Sequence, residues 1–128
     1  MLITGVKGYE PSFGYKSVIK TLWLQGKLPS VKKGLYGLPL TKKTVSNEHL
    51  EPYCIRRDNT LPNIALANKH INNLRGCRAL KDFLTWEQAK AYYIQFKGIK
   101  YSNFDGDEYI RQGLERCERL GIKDGVFS

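Results

Sequence analysis

Thr44-Val45-Ser46-Asn47-Glu48-His49-Leu50-Glu51-Pro52 and, ten residues on, Pro62-Asn63-Ile64-Ala65-Leu66-Ala67-Asn68-Lys69-His70-Ile71-Asn72-Asn73-Leu74-Arg75-Gly76 decide the fold of this chain. Residues 43–50 read as a short strand that ends on an acid-histidine pair, and a polar loop runs from Glu51 to Leu61. Asn63-Ile64-Ala65-Leu66-Ala67 reads as a second strand. Asn68 then suits the N-cap of a helix running to about Arg75, with Gly76 as its stop. Strand, long loop, strand and helix follow one another within residues 44–76.

The flanks read as helical. Tyr15, Val18, Ile19, Leu22 and Trp23 fall at helical spacing, and Gly26 is a plausible end. A loop with Pro29, Gly34, Gly37 and Pro39 follows, rich in lysines that include Lys42 and Lys43. Thr85-Trp86-Glu87-Gln88 is a capping box that opens a helix to about Phe96. Asp105 or Asp107 opens another through Leu120, with Gly121 as its stop. Their stripes, Trp86, Ala89, Tyr93 and Phe96, then Tyr109, Leu114, Cys117 and Leu120, are expected in the core. The expected class is α+β: a small β-hairpin plus helix packed among several α-helices, in one domain over residues 1–128. Residues 1–43 form a helical, basic lead-in and residues 82–128 a helical support.

Composition narrows the function. A hydrophobic content of 41% excludes a disordered chain. No run approaches the ~20 apolar residues of a spanning helix, and the first residues lack the pattern of a signal peptide, so an intracellular, cytoplasmic protein with no membrane partner is expected. Cys54, Cys77 and Cys117 are odd in number and form no C-x-x-C pair, which argues against a disulfide framework and a zinc ribbon and leaves idle thiols as the expectation. The net charge of +9 is uneven: residues 1–81 carry 14 Lys and Arg against 4 acids, and residues 82–128 carry 7 against 8. A basic lobe on a near-neutral support is the footprint of a nucleic-acid binder, because neutralised phosphates release counterions.

The chemistry concentrates at 44–76. His49 follows a carboxylate directly, and Asn63 and Asn72 stand 14 and 23 residues beyond it. Imidazole activates water near neutral pH. A carboxylate with an amide oxygen suits a hard cation. Lys69, Asn72 and Arg75 fall at i, i+3 and i+6 along one helix stripe, where the two cations are expected to contact phosphates. Arg56 and Arg57 in the loop, with Lys42 and Lys43, are further candidates for phosphate. His70 would replace Asn72 if the register slipped, and Glu51 is a possible extra ligand.

In this order the stretch resembles the HNH, or His-Me finger, family of ββα-metal nucleases. Glu48-His49-Leu50-Glu51-Pro52 matches the family's acid-His-x-x-Pro. Asn63 opens an apolar strand as the family's central Asn does, and Asn72-Asn73-Leu74-Arg75-Gly76 matches its Asn-x-x-Lys/Arg-Gly ending. The resemblance covers about a quarter of the chain. It implies that His49 is the general base, that Glu48 and Asn72 hold one divalent ion, and that Asn63 orients the His49 ring or pins the loop behind it. It implies an endonuclease acting on nucleic acid, DNA before RNA, in a bacterial or phage setting. Three departures stand out: Glu48 where Asp is commoner, Asn72 in place of His, and no zinc-binding Cys pairs. Mg²⁺ or Mn²⁺ is therefore the expected ion, with no structural zinc. Two other functions compete. One is an inactive HNH-like module that grips nucleic acid without cutting it. The other is a phage or mobile-element protein that inhibits a host nucleic-acid enzyme through a protein contact.

An ideal strand also sends Glu48 and His49 to opposite faces. Both serve one site only at a strand end, a bulge or a strong twist.

Overall fold

The computed structural model describes residues 12–122, with side chains from residue 18 onward. It is an α+β fold in which a two-stranded antiparallel hairpin lies among helices. The first helix, α1 (Ser12–Leu24), buries Ile19 and Leu22 and ends where Gly26 takes a left-handed φ of 76°. The lysine-rich segment after it is anchored. Leu28, Val31, Leu35 and Leu40 are buried, while Lys32, Lys33, Lys42 and Lys43 stay outside. Gly34 makes this possible, since a Cβ there would sit 2.9 Å from the Cα of Ala67.

The central unit forms in the expected order. Strand β1 (Val45–His49) pairs antiparallel with β2 (Ile64–Asn68), from Val45 opposite Asn68 to His49 opposite Ile64. Helix α3 (Lys69–Arg75) follows, with the Asn68 side chain accepting from the His70 amide at 2.8 Å and Gly76 closing the helix. The loop between the strands is more structured than its polarity suggests. It holds one short helix, α2 (Tyr53–Arg56), and a 3₁₀ turn at Leu61–Asn63.

Ile64 to Ala67 of β2 are all fully buried, so the strand is covered on both faces. Its outer edge is covered too. The Tyr109 hydroxyl donates to the Ile64 carbonyl at 2.6 Å, the Leu66 amide donates to the Tyr92 hydroxyl at 2.8 Å, and the Leu35 amide donates to the Leu66 carbonyl at 2.8 Å. Two tyrosine hydroxyls and one loop amide thus replace a third strand, which satisfies backbone groups that burial would otherwise orphan.

Those tyrosines come from the helical support. Helix α4 (Trp86–Ile94) opens with the full Thr85–Gln88 capping box, and α5 (Gly106–Arg119) starts at the Asp105 N-cap. Ala89, Tyr93, Phe96, Tyr109 and Cys117 of the expected stripes are buried in one cluster, with Trp86, Leu114 and Leu120 at its margin. Burial pushes the Cys117 thiol up to about 12, as expected of an inert core sulfur. Between the helices a two-residue hairpin, β3 (Lys100–Tyr101) with β4 (Phe104–Asp105), was not expected from the sequence; it is too short to leave an alternating pattern.

The thiols need a correction. Cys54 of α2 and Cys77 beyond α3 form a disulfide with Cα atoms 6.3 Å apart, so they are not idle. The hairpin and Gly76 bring together two cysteines that lie 23 residues apart in sequence. Among the described residues no helix is long and apolar enough to cross a membrane.

Candidate functional site

His49 is the last residue of β1, paired opposite Ile64. Glu48 turns inward and is 3% exposed. Its Oε2 accepts a hydrogen bond from the Tyr36 hydroxyl and pairs with Arg75 Nη1 at 3.1 Å. Burial raises the Glu48 carboxyl above the usual range, against the opposing pull of Tyr36 and Arg75. Burial beside Glu48 likewise pushes Tyr36 up, which keeps its hydroxyl protonated as the donor. Glu48 Oε1 takes no hydrogen bond among the described residues.

Arg75 does not face phosphate, contrary to the expectation from helix spacing. It is 1% exposed, and its nitrogens are engaged internally. Nη1 donates to the His49 carbonyl and Nη2 to the Leu50 carbonyl, each at 2.7 Å, while Nε donates to the Arg78 carbonyl at 2.8 Å. The stripe geometry was right, but the stripe faces the end of β1. Burial of Arg75 follows from the carbonyls left open where the strand gives way to the loop, which a five-donor fork is suited to fill.

Asn72, one turn earlier on the same face of α3, donates through Nδ2 to the Asn47 carbonyl at 2.9 Å and to Ser46 Oγ at 3.2 Å. Its Oδ1 takes no hydrogen bond among the described residues. Ser46 and Glu48 share one face of β1, and they meet Asn72 and Arg75 respectively. The Glu48 carboxylate and the Asn72 amide therefore border one seam between strand and helix. His70 is exposed on α3 and does not take the Asn72 position.

The His49 ring is half-buried, with Nε2 2.7 Å from Asn59 Oδ1 and its centroid 5.4 Å from that of Tyr53. An amide oxygen only accepts, so this contact puts the proton on Nε2 and leaves the lone pair on Nδ1. Asn63 is fully buried, and its side chain makes no hydrogen bond to that ring. Its Oδ1 accepts from the Glu51 amide at 2.9 Å, and its Nδ2 donates to the Glu51 carbonyl at 3.1 Å and the Asp58 carbonyl at 2.8 Å. Of the two roles expected for Asn63, it takes the second, pinning the loop behind His49.

The remaining candidates are peripheral. Lys42, Lys43 and Lys69 are exposed on either side of the start of β1, where the Lys69 amide donates to the Thr44 carbonyl at 2.7 Å. Arg56 is exposed and lies 3.8 Å from Glu51, which is half-buried in the loop. Arg57 caps α2 in the left-handed region, at φ 57°, with its guanidinium 6.0 Å from the Tyr53 ring centre. Tyr36, Ser46 and Asn59 escaped the sequence reading. Each holds a site residue through a contact made only by the fold, and none belongs to a motif.

The Glu48 carboxylate and the Asn72 amide oxygen are hard donors of the kind that suits Mg²⁺ or Mn²⁺. No three of His, Cys, Asp and Glu gather among the described residues, so an ion here relies on that mixed pair. Comparison with protein-family models, with curated proteins and with solved structures yields no match.

Proposed function

We propose that the chain is a metal-dependent nuclease of HNH type that hydrolyses phosphodiester bonds, with DNA the first substrate to test. The observation that carries this reading is the seam itself: Asn72 and Arg75 of α3 contact Ser46 and Glu48 of β1, with His49 at the end of that strand. The order of these residues is that of the HNH pattern.

In this reading Glu48 and Asn72 would hold a divalent ion, which would supply charge neutralisation at the phosphate. His49 Nδ1 takes a proton from water as its oxygen bonds to phosphorus, the ester P–O bond breaks, and the leaving oxygen is protonated from solvent. Asn59 fixes the imidazole tautomer. Asn63 and Arg75 are positioning residues, holding the loop and the strand end. Lys42, Lys43, Lys69, Arg56 and Arg57 attract the strand.

A second reading is a nucleic-acid-binding module without cleavage. It is favoured by the engagement of Glu48 Oε2 with both Tyr36 and Arg75, which leaves the ion one carboxylate oxygen. Plasmid incubated with Mg²⁺ or Mn²⁺ separates the two. Nicking by the parent chain, lost in His49→Ala and Asn72→Ala, supports the nuclease. Equal cleavage by all three sinks the site assignment, and salt-sensitive binding without any cleavage leaves the second reading standing.

A further inference from the structure

The loop that carries the His49 partner has a second face. Glu51 and Arg56 from this loop, with Arg116, Arg119 and Leu120 from the end of α5, line a cleft of about 220 Å³. We propose that this cleft seats a backbone phosphate of the bound nucleic acid, at a distance along the strand from the bond being cut. The inference rests on the nucleic-acid-binding part of the function proposed above and adds a subsite to it.

Arg116 is the core of the argument. Its Nη1 donates to Asp58 Oδ2 at 2.8 Å, and both side chains are less than one-fifth exposed. Its Nε is buried and has no partner among the described residues. Its Nη2 takes no hydrogen bond among the described residues and is not shut off from solvent, so this nitrogen is the one an anion in the cleft can reach. The Asp58 contact fixes the plane of the guanidinium, so little side-chain freedom is lost when an anion binds. The Thr60 amide and hydroxyl donate to Asp58 Oδ1, which holds the carboxylate that Arg116 grips through Oδ2.

Arg56 and Arg119 supply two further guanidiniums and are exposed. Glu51 opposes them, but its 3.8 Å separation from Arg56 is longer than a hydrogen bond. Three forks around a small polar cleft match the several acceptor oxygens of a phosphate. The placement favours a backbone phosphate over a free ion. Asn59, bonded to His49, and Arg56 lie on the same loop, and Asn63 ties that loop together at Glu51 and Asp58. A strand gripped in the cleft is thereby coupled to the position of His49.

The test uses the full chain carrying His49→Ala, in EDTA, so that cleavage plays no part. Binding of a fluorescein-labelled DNA duplex is followed by anisotropy across a salt series. Adding Arg56→Ala and Arg119→Ala together is expected to weaken binding about tenfold and to make the slope of log K against log salt less negative by about 0.9, the value for one phosphate contact. Lys90→Ala with Lys97→Ala, two exposed positions outside the cleft, is expected to leave both quantities unchanged. An unchanged unfolding midpoint certifies that the arginine variant is folded. If the chain binds DNA but the arginine variant binds with the same affinity and slope, or the lysine control loses as much, the cleft assignment is overturned alone. If the chain binds no DNA at all, the function proposed above falls with it.

Discussion

Arg75 reaches from the last turn of α3 to the Glu48 carboxylate at 3.1 Å while donating to the carbonyls of His49 and Leu50 at 2.7 Å each. One buried side chain thus fixes the acid, the strand end and the start of the loop. Removing it leaves Glu48 buried without its cation and takes a donor from three carbonyls, those of His49, Leu50 and Arg78. Arg75→Ala is expected to lose about 3–5 kcal/mol of stability, the range for breaking a buried pair. Arg75→Lys should recover only a small part, because an ammonium cannot reproduce the fork. Urea unfolding measures both, and wild-type stability in the alanine variant would refute the role.

Asn63 is expected to act on the loop before it acts on the fold. Its three hydrogen bonds hold Glu51 and Asp58. Asn63→Ala should cost about 1–3 kcal/mol through the buried groups it leaves unpaired. Asn63→Asp keeps the acceptor for the Glu51 amide but removes both donors, so it should be no milder. Hydrogen exchange at the Glu51 amide should speed up in Asn63→Ala more than exchange at the Leu66 amide, which Tyr92 holds independently. Equal acceleration at the two would mean a global effect instead.

The contrast between Asn72 and Arg75 shows where the sequence was legible. Helical period placed both on one stripe, and that is correct; what the stripe faced was not readable, because it depends on which carbonyls the end of β1 leaves open. Asn68, Gly76 and Thr85 announce their turns by local chemistry, so the element order and the capping box could be read directly. Tyr36 on Glu48 and Asn59 on His49 are contacts made by the fold, with no local signature. The Cys54–Cys77 bond was hidden for the same reason, since only the closed hairpin reveals the pairing.

That disulfide gives a third prediction. It joins α2, in the loop behind His49, to the chain just past Gly76, across a sequence separation of 23 residues. Loop-closure entropy for a ring of that size corresponds to about 3 kcal/mol. Cys54→Ser with Cys77→Ser, or addition of a reductant to the parent chain, should lower the urea midpoint accordingly. Reductant should then have no further effect on the double variant. A parent chain whose midpoint ignores reductant, with both thiols confirmed free, would refute the contribution.

Acid should release a different tie. Burial pushes the Asp58 carboxyl up, but the Thr60 hydroxyl and amide and the Arg116 guanidinium outweigh it and leave it below the usual range. A depressed folded value means that the stabilisation is fully present above the unfolded pKa of about 3.9 and is lost as pH falls through the folded one. Asp58→Asn should therefore cost stability at pH 6 and much less at pH 2, so the two stability profiles converge on the acid side. Parallel profiles across that window would show that the pair contributes no linkage.

The divalent ion can be tested without reference to cleavage. Asn72 donates through Nδ2 to the Asn47 carbonyl and to Ser46 Oγ, with Oδ1 unbonded. Asn72→Asp removes that donor and sets a carboxylate against a carbonyl, so in EDTA the variant should be less stable by about 1–3 kcal/mol. The same change places a second carboxylate at the seam beside Glu48, which should tighten the hold on a hard cation. Thermal melts with rising Mg²⁺ should therefore stabilise Asn72→Asp more than the parent chain. The gain follows RT ln(1 + [L]/Kd), about 2.7 kcal/mol at a hundredfold excess over Kd. Asn72→Ala should gain nothing from the ion. Identical Mg²⁺ responses in all three chains would show that the ion binds elsewhere or not at all, whatever the plasmid assay reports.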